Sequence, residues 1–223
     1  VKVASGERGP SDSDLPTPLR RGRNDLSPEE VVEHQRERVI AAVAKVVAGS
    51  GYASLTVERV INAARISRTT FYQLFDNLQD AVLVAHEAIF GRLLASIREA
   101  CEREGEWPDK VDQAIGAIVE FAITRPDQAQ LLATDLLAAD MATAARARES
   151  HDQLATLLAG LREHYPGADS LPSVTEAFLV SGMRGVLVCG LRSGKPDQIE
   201  ALRPQLVEFA LLPYLAVSGQ RPS

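Results

Sequence analysis

Apolar positions along the chain recur with the 3.6-residue period of helices nearly from end to end. The pattern begins at Ser27-Pro28-Glu29-Glu30, where Ser27 suits an N-cap, Pro28 the first helical position and Glu30 the closing member of a capping box. Val32, Val39, Ile40, Val43, Val46 and Val47 then form one stripe, which Gly49-Ser50-Gly51 terminates. Two short helices follow. Thr56 caps the first, with Val57, Val60, Ile61 and Ala64 inward; Ser67 caps the second, with Phe71, Leu74 and Phe75 inward. Only Arg65-Ile66 separates them, so the pair must turn sharply. Asn77 and Asp80 open a longer helix that carries Val82, Leu83, His86, Ile89, Phe90, Leu93, Leu94 and Ile97 to about Glu104. Further helices are expected at about 109–124, 127–139, 141–164, 171–193 and 204–217, with a short turn near 197–202. Pro126, Pro166-Gly167, Pro172, Gly194-Lys195-Pro196 and Pro204 punctuate them. No strand-like alternation of useful length occurs, so the fold class is all-α.

Composition narrows the classes. With 223 residues, 45% of them hydrophobic, the chain can bury a sizeable core, which excludes disorder throughout. Residues 1–25 are the exception: a disordered arm without core formers, ending in the basic Arg20, Arg21 and Arg23. A formal net charge of −6 excludes a polycation that coats nucleic acid by bulk charge. Cys101 and Cys189 are too few for a disulfide framework or a thiolate zinc site, which suits a reduced, cytoplasmic protein. No leader segment is expected, and the apolar stretch Phe209–Val217 is half a membrane span, so no membrane partner is expected. Catalytic patterns are missing. His86-Glu87-Ala88-Ile89-Phe90 has Phe90 where a zinc-protease helix needs its second histidine, and neither a phosphate loop nor a nucleophile elbow occurs. The expectation is a protein that is no enzyme and has no cofactor and no metal.

The informative stretch is Tyr52 to Leu83. It reads as a helix-turn-helix whose second helix turns Arg68, Thr69, Thr70 and Tyr72 outward, side chains suited to base edges and phosphates in a major groove. Three helix N-termini, at Thr56, Ser67 and Asn77, lie within thirty residues and suit a polyanion. The pattern T-V-x-x-[IV]-x-x-x-A-x-[IV]-S-x-x-x-x-Y-x-x-F is carried by Thr56, Val57, Val60, Ala64, Ile66, Ser67, Tyr72 and Phe75. It resembles the DNA-binding domain of tetracycline-repressor (TetR) family regulators over about residues 25–83. The chain departs from that family at Arg65, where a turn glycine is usual, at Leu74, where a histidine often stands, and at Leu78, where a lysine usually opens the fourth helix. A side chain at positive φ costs roughly 1 kcal/mol. The missing cations would make binding less salt-dependent. Residues 1–80 balance eleven basic against eleven acidic side chains, so affinity must come from local placement. The expected DNA contacts are Arg20, Arg21, Arg23, Thr56, Arg65, Ser67, Arg68, Thr69, Thr70 and Tyr72.

The resemblance implies an N-terminal helix-turn-helix domain at 26–76, a connecting helix over 77–108 and a regulatory ligand-binding and dimerisation domain over 109–223. Candidate ligand contacts are Phe90, Trp107, Phe121, Arg148, His151, Phe178 and Met183, polar or aromatic groups at helical spacing. Phe178, Ser181, Gly182, Gly185, Cys189, Leu206 and Phe209 are candidates for a dimer face, because small residues let a second helix approach closely. The implied function is a homodimeric regulator, most often a repressor in that family, that binds palindromic double-stranded DNA and is released by an apolar small-molecule effector. The alternative is a helical ligand-binding or interaction protein whose helix-turn-helix binds DNA only weakly.

Overall fold

The computed structural model describes residues 27–133 and 141–219. Its helices are α1 (Pro28–Ser50), α2 (Val57–Ala64), α3 (Arg68–Leu74), α4 (Leu78–Cys101), α5 (Trp107–Thr124), α6 (Pro126–Ala133), α7 (Met141–Ala159), α8 (Thr175–Ser193), α9 (Pro196–Glu200) and α10 (Arg203–Ser218). Among the described residues there is no strand. The chain divides into two compact units, with the boundary between Ala85 and His86 inside α4. That helix fills most of the expected connecting segment. The basic cluster Arg20, Arg21 and Arg23 lies outside the described residues.

In the first unit each helix starts where the sequence supplies a cap. The Ser27 hydroxyl accepts from the Glu30 amide at 3.2 Å, and the Ser27 amide donates to the Glu30 carboxylate at 2.7 Å. Thr56 accepts from the Arg59 amide at 3.2 Å, and Ser67 from the Thr70 amide at 3.0 Å. Val39, Ile40, Val43 and Val47 of α1 are buried together with Val60 and Ala64 of α2 and Phe71 and Phe75 of and just beyond α3. Each such Val, Ile or Phe side chain contributes roughly 1.5–3 kcal/mol on burial, so the small domain rests on this one cluster. The turn between α2 and α3 is the strained point. Arg65 sits at φ 53°, ψ 45°, the conformation a glycine would take without penalty.

The second unit contains the rest of α4 and helices α5 to α10. Here several expected bounds shift. The helix expected over 141–164 is α7 to Ala159, followed by a 3₁₀ turn over Gly160–His164. The helix expected from 171 begins at Thr175, because Leu171, ahead of Pro172, is extended and a short 3₁₀ turn, Ala168–Ser170, precedes it. The turn expected near 197–202 is the helix α9, started by Pro196. The helix expected over 127–139 is described as α6, Pro126–Ala133; residues 134–140 lie outside the described residues.

Two polar clusters tie this unit together. Buried Glu176 accepts from Arg162 Nε at 2.9 Å and Nη2 at 3.1 Å, and from the Tyr214 hydroxyl at 2.7 Å. Arg162 also donates to the carbonyls of Ala168, Leu171 and Pro172, so one guanidinium closes the α7–α8 connection. Arg203, at the start of α10, forks onto Asp112 of α5 at 3.0 and 2.7 Å. A Cβ on Gly116 would lie 2.8 Å from the Arg203 guanidinium, so a larger residue there would push the flexible end of that side chain off its seat on Asp112.

Candidate nucleic-acid interface and interior cavity

The face of α3 is set by two opposed rows. Phe71 and Leu74 point into the first unit's core, which leaves Arg68, Thr69 and Tyr72 exposed on the other side. Tyr72 keeps half of its surface in solvent while its ring meets Phe71 edge-on at 5.3 Å, so the core sets its position. Arg68 is paired with exposed Glu58 of α2 at 3.3 Å. At the far end of α3 the Arg36 guanidinium donates to the Leu74 carbonyl at 3.4 Å and stands 5.2 Å from the Phe75 ring centroid. Leu74 is therefore a packing residue of the first unit.

Other expected contacts sit differently. Thr70 is half-buried, its amide donates to Ser67 Oγ, and the two hydroxyl oxygens are 2.8 Å apart, so it belongs to the cap rather than to the open row. Ser67 and Thr56 are exposed, with their hydroxyls engaged as N-caps. Arg65 is exposed, and its carbonyl accepts from Arg38 Nη2 at 3.1 Å. The expectation of three anion-seating helix termini needs correcting. α2 carries Glu58 in its first turn, and α4 carries Asp80, whose carboxylate accepts from the Asp76 amide at 3.0 Å. These acids repel an incoming phosphate. Only α3 of the three starts without one, and it is a single short helix of seven residues.

A cavity of about 480 Å³ lies wholly within the second unit, walled by α4 to α8 and α10. Its size falls in the range of small-molecule sites, and its walls are mostly aliphatic and aromatic. Phe90, Trp107, Phe121, His151 and Met183 line it. Arg148 and Phe178 do not. Arg148 is exposed, because α7 turns Ala147, Ser150, His151 and Leu154 inward and leaves Arg148 one helical step off that row. Phe178 is 70% exposed, since α8 faces the cavity with Val180, Met183 and Leu187. His151 Nε2 lies 3.4 Å from the Ser181 hydroxyl. The Trp107 ring stacks on His164 with 4.1 Å between centroids.

Sequence reasoning passed over His86 as a cavity residue, although it lies on the same stripe as Phe90, Leu93 and Ile97. It is 2% exposed, lines the cavity, and its Nδ1 is buried with no hydrogen-bond partner. Burial, with the nearby Arg146 charge, lowers its pKa to about 4, so the ring is neutral at physiological pH. Arg146 is held by Glu87 at 2.7 Å and Glu149 at 2.8 Å. Arg98, Lys110 and Arg184 also line the cavity and were not anticipated, because long cationic side chains on a helix ordinarily read as solvated.

The expected dimer residues separate into two groups. Phe178, Ser181, Gly185 and Cys189 are exposed on α8, and Phe209 is exposed on α10. Leu206 is a correction: it is 4% exposed and faces the cavity, one turn before buried Ala210. Gly182 is accounted for within the chain, since a Cβ there would stand 3.3 Å from the Phe209 ring. Among the described residues no cluster of three potential metal ligands occurs, and no helix is long and apolar enough to cross a membrane.

No family model matches the chain. Over 83 residues it is 34% identical to the transcriptional regulator AcuR of Cereibacter sphaeroides; the match takes in 36% of this chain and 37% of that protein's length. The fatty acid degradation regulator FadR of Bacillus halodurans superposes with a TM-score of 0.68 at 18% identity, over 78% of this chain and 97% of that one. A TetR-like regulator from Rhodococcus gives 0.68 at 18% identity, over 87% and 100%. FadR of Bacillus subtilis, solved with stearoyl-CoA, gives 0.61 at 16% identity, over 82% and 98%. The chain has the fold of the TetR-family regulators: an all-α helix-turn-helix domain followed by a helical C-terminal domain.

Proposed function

We propose that this chain is a transcriptional regulator of the TetR family, a dimeric repressor that reads a palindromic operator and is released by a small apolar effector. The observation that carries the DNA-binding half is the exposed row Arg68, Thr69 and Tyr72 on a short capped helix, with Phe71 and Leu74 fixing the opposite side. A major groove admits one helix, and these side chains offer donors, a methyl group and a phenol hydroxyl to base edges and phosphates. Arg65 on the turn, and Arg20, Arg21 and Arg23 ahead of α1, supply phosphate contacts in this reading, with Thr56 and Ser67 positioning the helices. The likeness to AcuR supports a regulatory role over the stretch it covers.

The effector half rests on the apolar cavity of the second unit; FadR of Bacillus subtilis, which shares the fold, was solved with stearoyl-CoA. The dimer rests on an apolar face that includes Val174 just before α8, Phe178 and Val186 of α8, and Phe209 and Leu212 of α10, all exposed large side chains. Phe178, Gly185 and Cys189 recur at helical spacing, with Gly182 between them taken up by Phe209 of the same chain, so a second copy of α8 would meet the exposed stripe of the first three. α4 belongs to both units, and an effector in the cavity acts on the reading heads through it. Release of DNA then requires different effector affinities for the free and operator-bound protein, typically a coupling of about 1–3 kcal/mol. No step of this function calls for catalysis.

The test is selection of binding sequences from random duplex DNA at near-physiological salt. An enriched inverted repeat is expected, with half-sites about one helical turn, roughly 34–36 Å, apart or a multiple of that. A folded dimer that enriches nothing would overturn the operator reading and favour a helical ligand-binding protein.

A further inference from the structure

The charge of the cavity wall differs in sign from the charge of the chain. Overall the protein carries 30 acidic against 24 basic side chains. Among the residues that line the cavity there are three permanent cations, Arg98, Lys110 and Arg184, and neither Asp nor Glu. Two of the cations share one end. Arg98 lies one turn before Cys101 on α4, and the Lys110 ammonium donates to the Cys101 carbonyl at 2.8 Å, which holds it beside the last turn of that helix. Cys101 itself lines the same end, and burial raises its pKa, so the thiol adds no negative charge there. Trp107, in the first turn of α5, completes this end.

The other end has the opposite character. His86 lies twelve residues before Arg98 on α4, roughly 18 Å along the helix axis at 1.5 Å per residue. Between them Phe90, Leu93 and Ile97 turn to the cavity, and the buried His86 ring is neutral. A ligand lying along α4 therefore meets cations at the Cys101 end and hydrocarbon, then an uncharged imidazole, at the other. A ligand with a cationic head would be repelled. A neutral polar head would forgo the charge-assisted hydrogen bonds that Arg98 and Lys110 offer to an anion.

From this polarity we infer that the cavity binds an elongated amphiphile with an anionic head, a medium-chain fatty carboxylate or a molecule of that shape, with the carboxylate at Arg98 and Lys110 and the tail towards His86. The inference rests on the cavity as the effector site and adds the chemistry and orientation of the ligand.

Trp107 is the only tryptophan of the chain, and it lines the cavity while stacking on His164, so its fluorescence reports on occupancy without DNA. The experiment titrates the full chain with dodecanoate, dodecanol and dodecylamine, each below its micelle concentration. Dodecanoate is expected to saturate at one molecule per chain and to bind at least tenfold more tightly than dodecanol, with dodecylamine the weakest. Arg98 is exposed on α4, so Arg98→Gln leaves the fold intact by circular dichroism; it should lower dodecanoate affinity severalfold and leave dodecanol unchanged. Equal binding of acid and alcohol overturns the anionic head while leaving an apolar effector standing. No saturable change with any of the three overturns the inference together with the cavity as a site for such chains. A loss shared equally by acid and alcohol in Arg98→Gln overturns the orientation.

Discussion

The Arg38 guanidinium reaches across 27 positions of sequence to donate from Nη2 to the Arg65 carbonyl at 3.1 Å. It thereby braces the one non-glycine residue at positive φ among those described. Arg38 is buried, and both its burial and the Arg65 charge lower its pKa, so the brace works against desolvation and like-charge repulsion. Arg65→Gly removes the left-handed strain and the repelling charge, and should stabilise the first unit by up to about 1 kcal/mol. Arg38→Met should destabilise it by about 1–3 kcal/mol, since a charged donor is lost from a turn that needs it. Urea unfolding of both variants checks this. An Arg65→Gly variant less stable than the parent would show that the turn is not strained.

Glu58 bears on DNA affinity through Arg68. The two are paired at 3.3 Å with both side chains largely in solvent, and exposed pairs of this kind are worth about 0.2–1 kcal/mol. Arg68 must leave Glu58 to meet DNA, and the carboxylate also repels phosphate. Glu58→Gln should therefore tighten operator binding by up to about fivefold, while Arg68→Ala and Tyr72→Ala abolish specific binding with the dimer still folded. Fluorescence anisotropy on a selected operator measures all three. Unchanged affinity in Arg68→Ala and Tyr72→Ala would remove α3 from the groove.

The first unit was legible in the sequence because local signals decide it: Ser27, Thr56, Ser67 and Asn77 are caps, and the strained turn follows from Arg65 standing between α2 and α3. The cavity was legible only in half. Phe90, Trp107, Phe121, His151 and Met183 line it, but a period of 3.6 residues tells which residues share a stripe and not which neighbour the stripe faces. Arg148 stands one helical step off the cavity row, Phe178, a candidate for both cavity and dimer face, is outward, and Leu206, a candidate for the dimer face, turns inward. His86 shares the α4 stripe with Phe90, and spacing alone does not show that this stripe faces a cavity. Arg162 could not be foreseen as the closure of the α7–α8 connection, since its carbonyl partners are set by the loop's path.

His86 makes the stability of the second unit depend on pH. An unfolded histidine takes up its proton near pH 6.5. Folded His86 resists protonation until about pH 4, because burial, helped by Arg146, penalises the imidazolium. Protons thus bind the unfolded chain first: the His86 contribution is intact above pH 6.5 and is lost progressively as the pH falls towards 4. Between pH 7.5 and pH 5 the expected loss is about 2 kcal/mol. His86→Leu should lose that much less over the same interval, and urea melts followed by Trp107 fluorescence compare the two. Parallel pH dependences would mean that folded His86 takes up its proton as readily as the unfolded residue.

Glu176 is buried yet charged. Burial raises its pKa, but the bonds from Arg162 and Tyr214 outweigh that and hold the carboxyl below its ordinary value. Its stabilisation is therefore present above pH 4.5 and lost as the pH falls through the lower folded value. Tyr214 is fully buried and donates at 2.7 Å, and its own pKa is raised, chiefly by burial and then by this bond. Glu176→Gln leaves the Arg162 guanidinium without its counter-charge and should cost about 2–4 kcal/mol, somewhat less than a fully enclosed pair because Arg162 is partly exposed. Tyr214→Phe removes one bond to a charged acceptor and should cost about 1.5–3 kcal/mol. If the three groups act as one cluster, Tyr214→Phe will cost clearly less in the Glu176→Gln background than in the parent, a difference a double-mutant cycle reads directly. Additive losses would show that Tyr214 and Glu176 hold α10 and α8 by independent packing, with the hydrogen bond contributing nothing of its own.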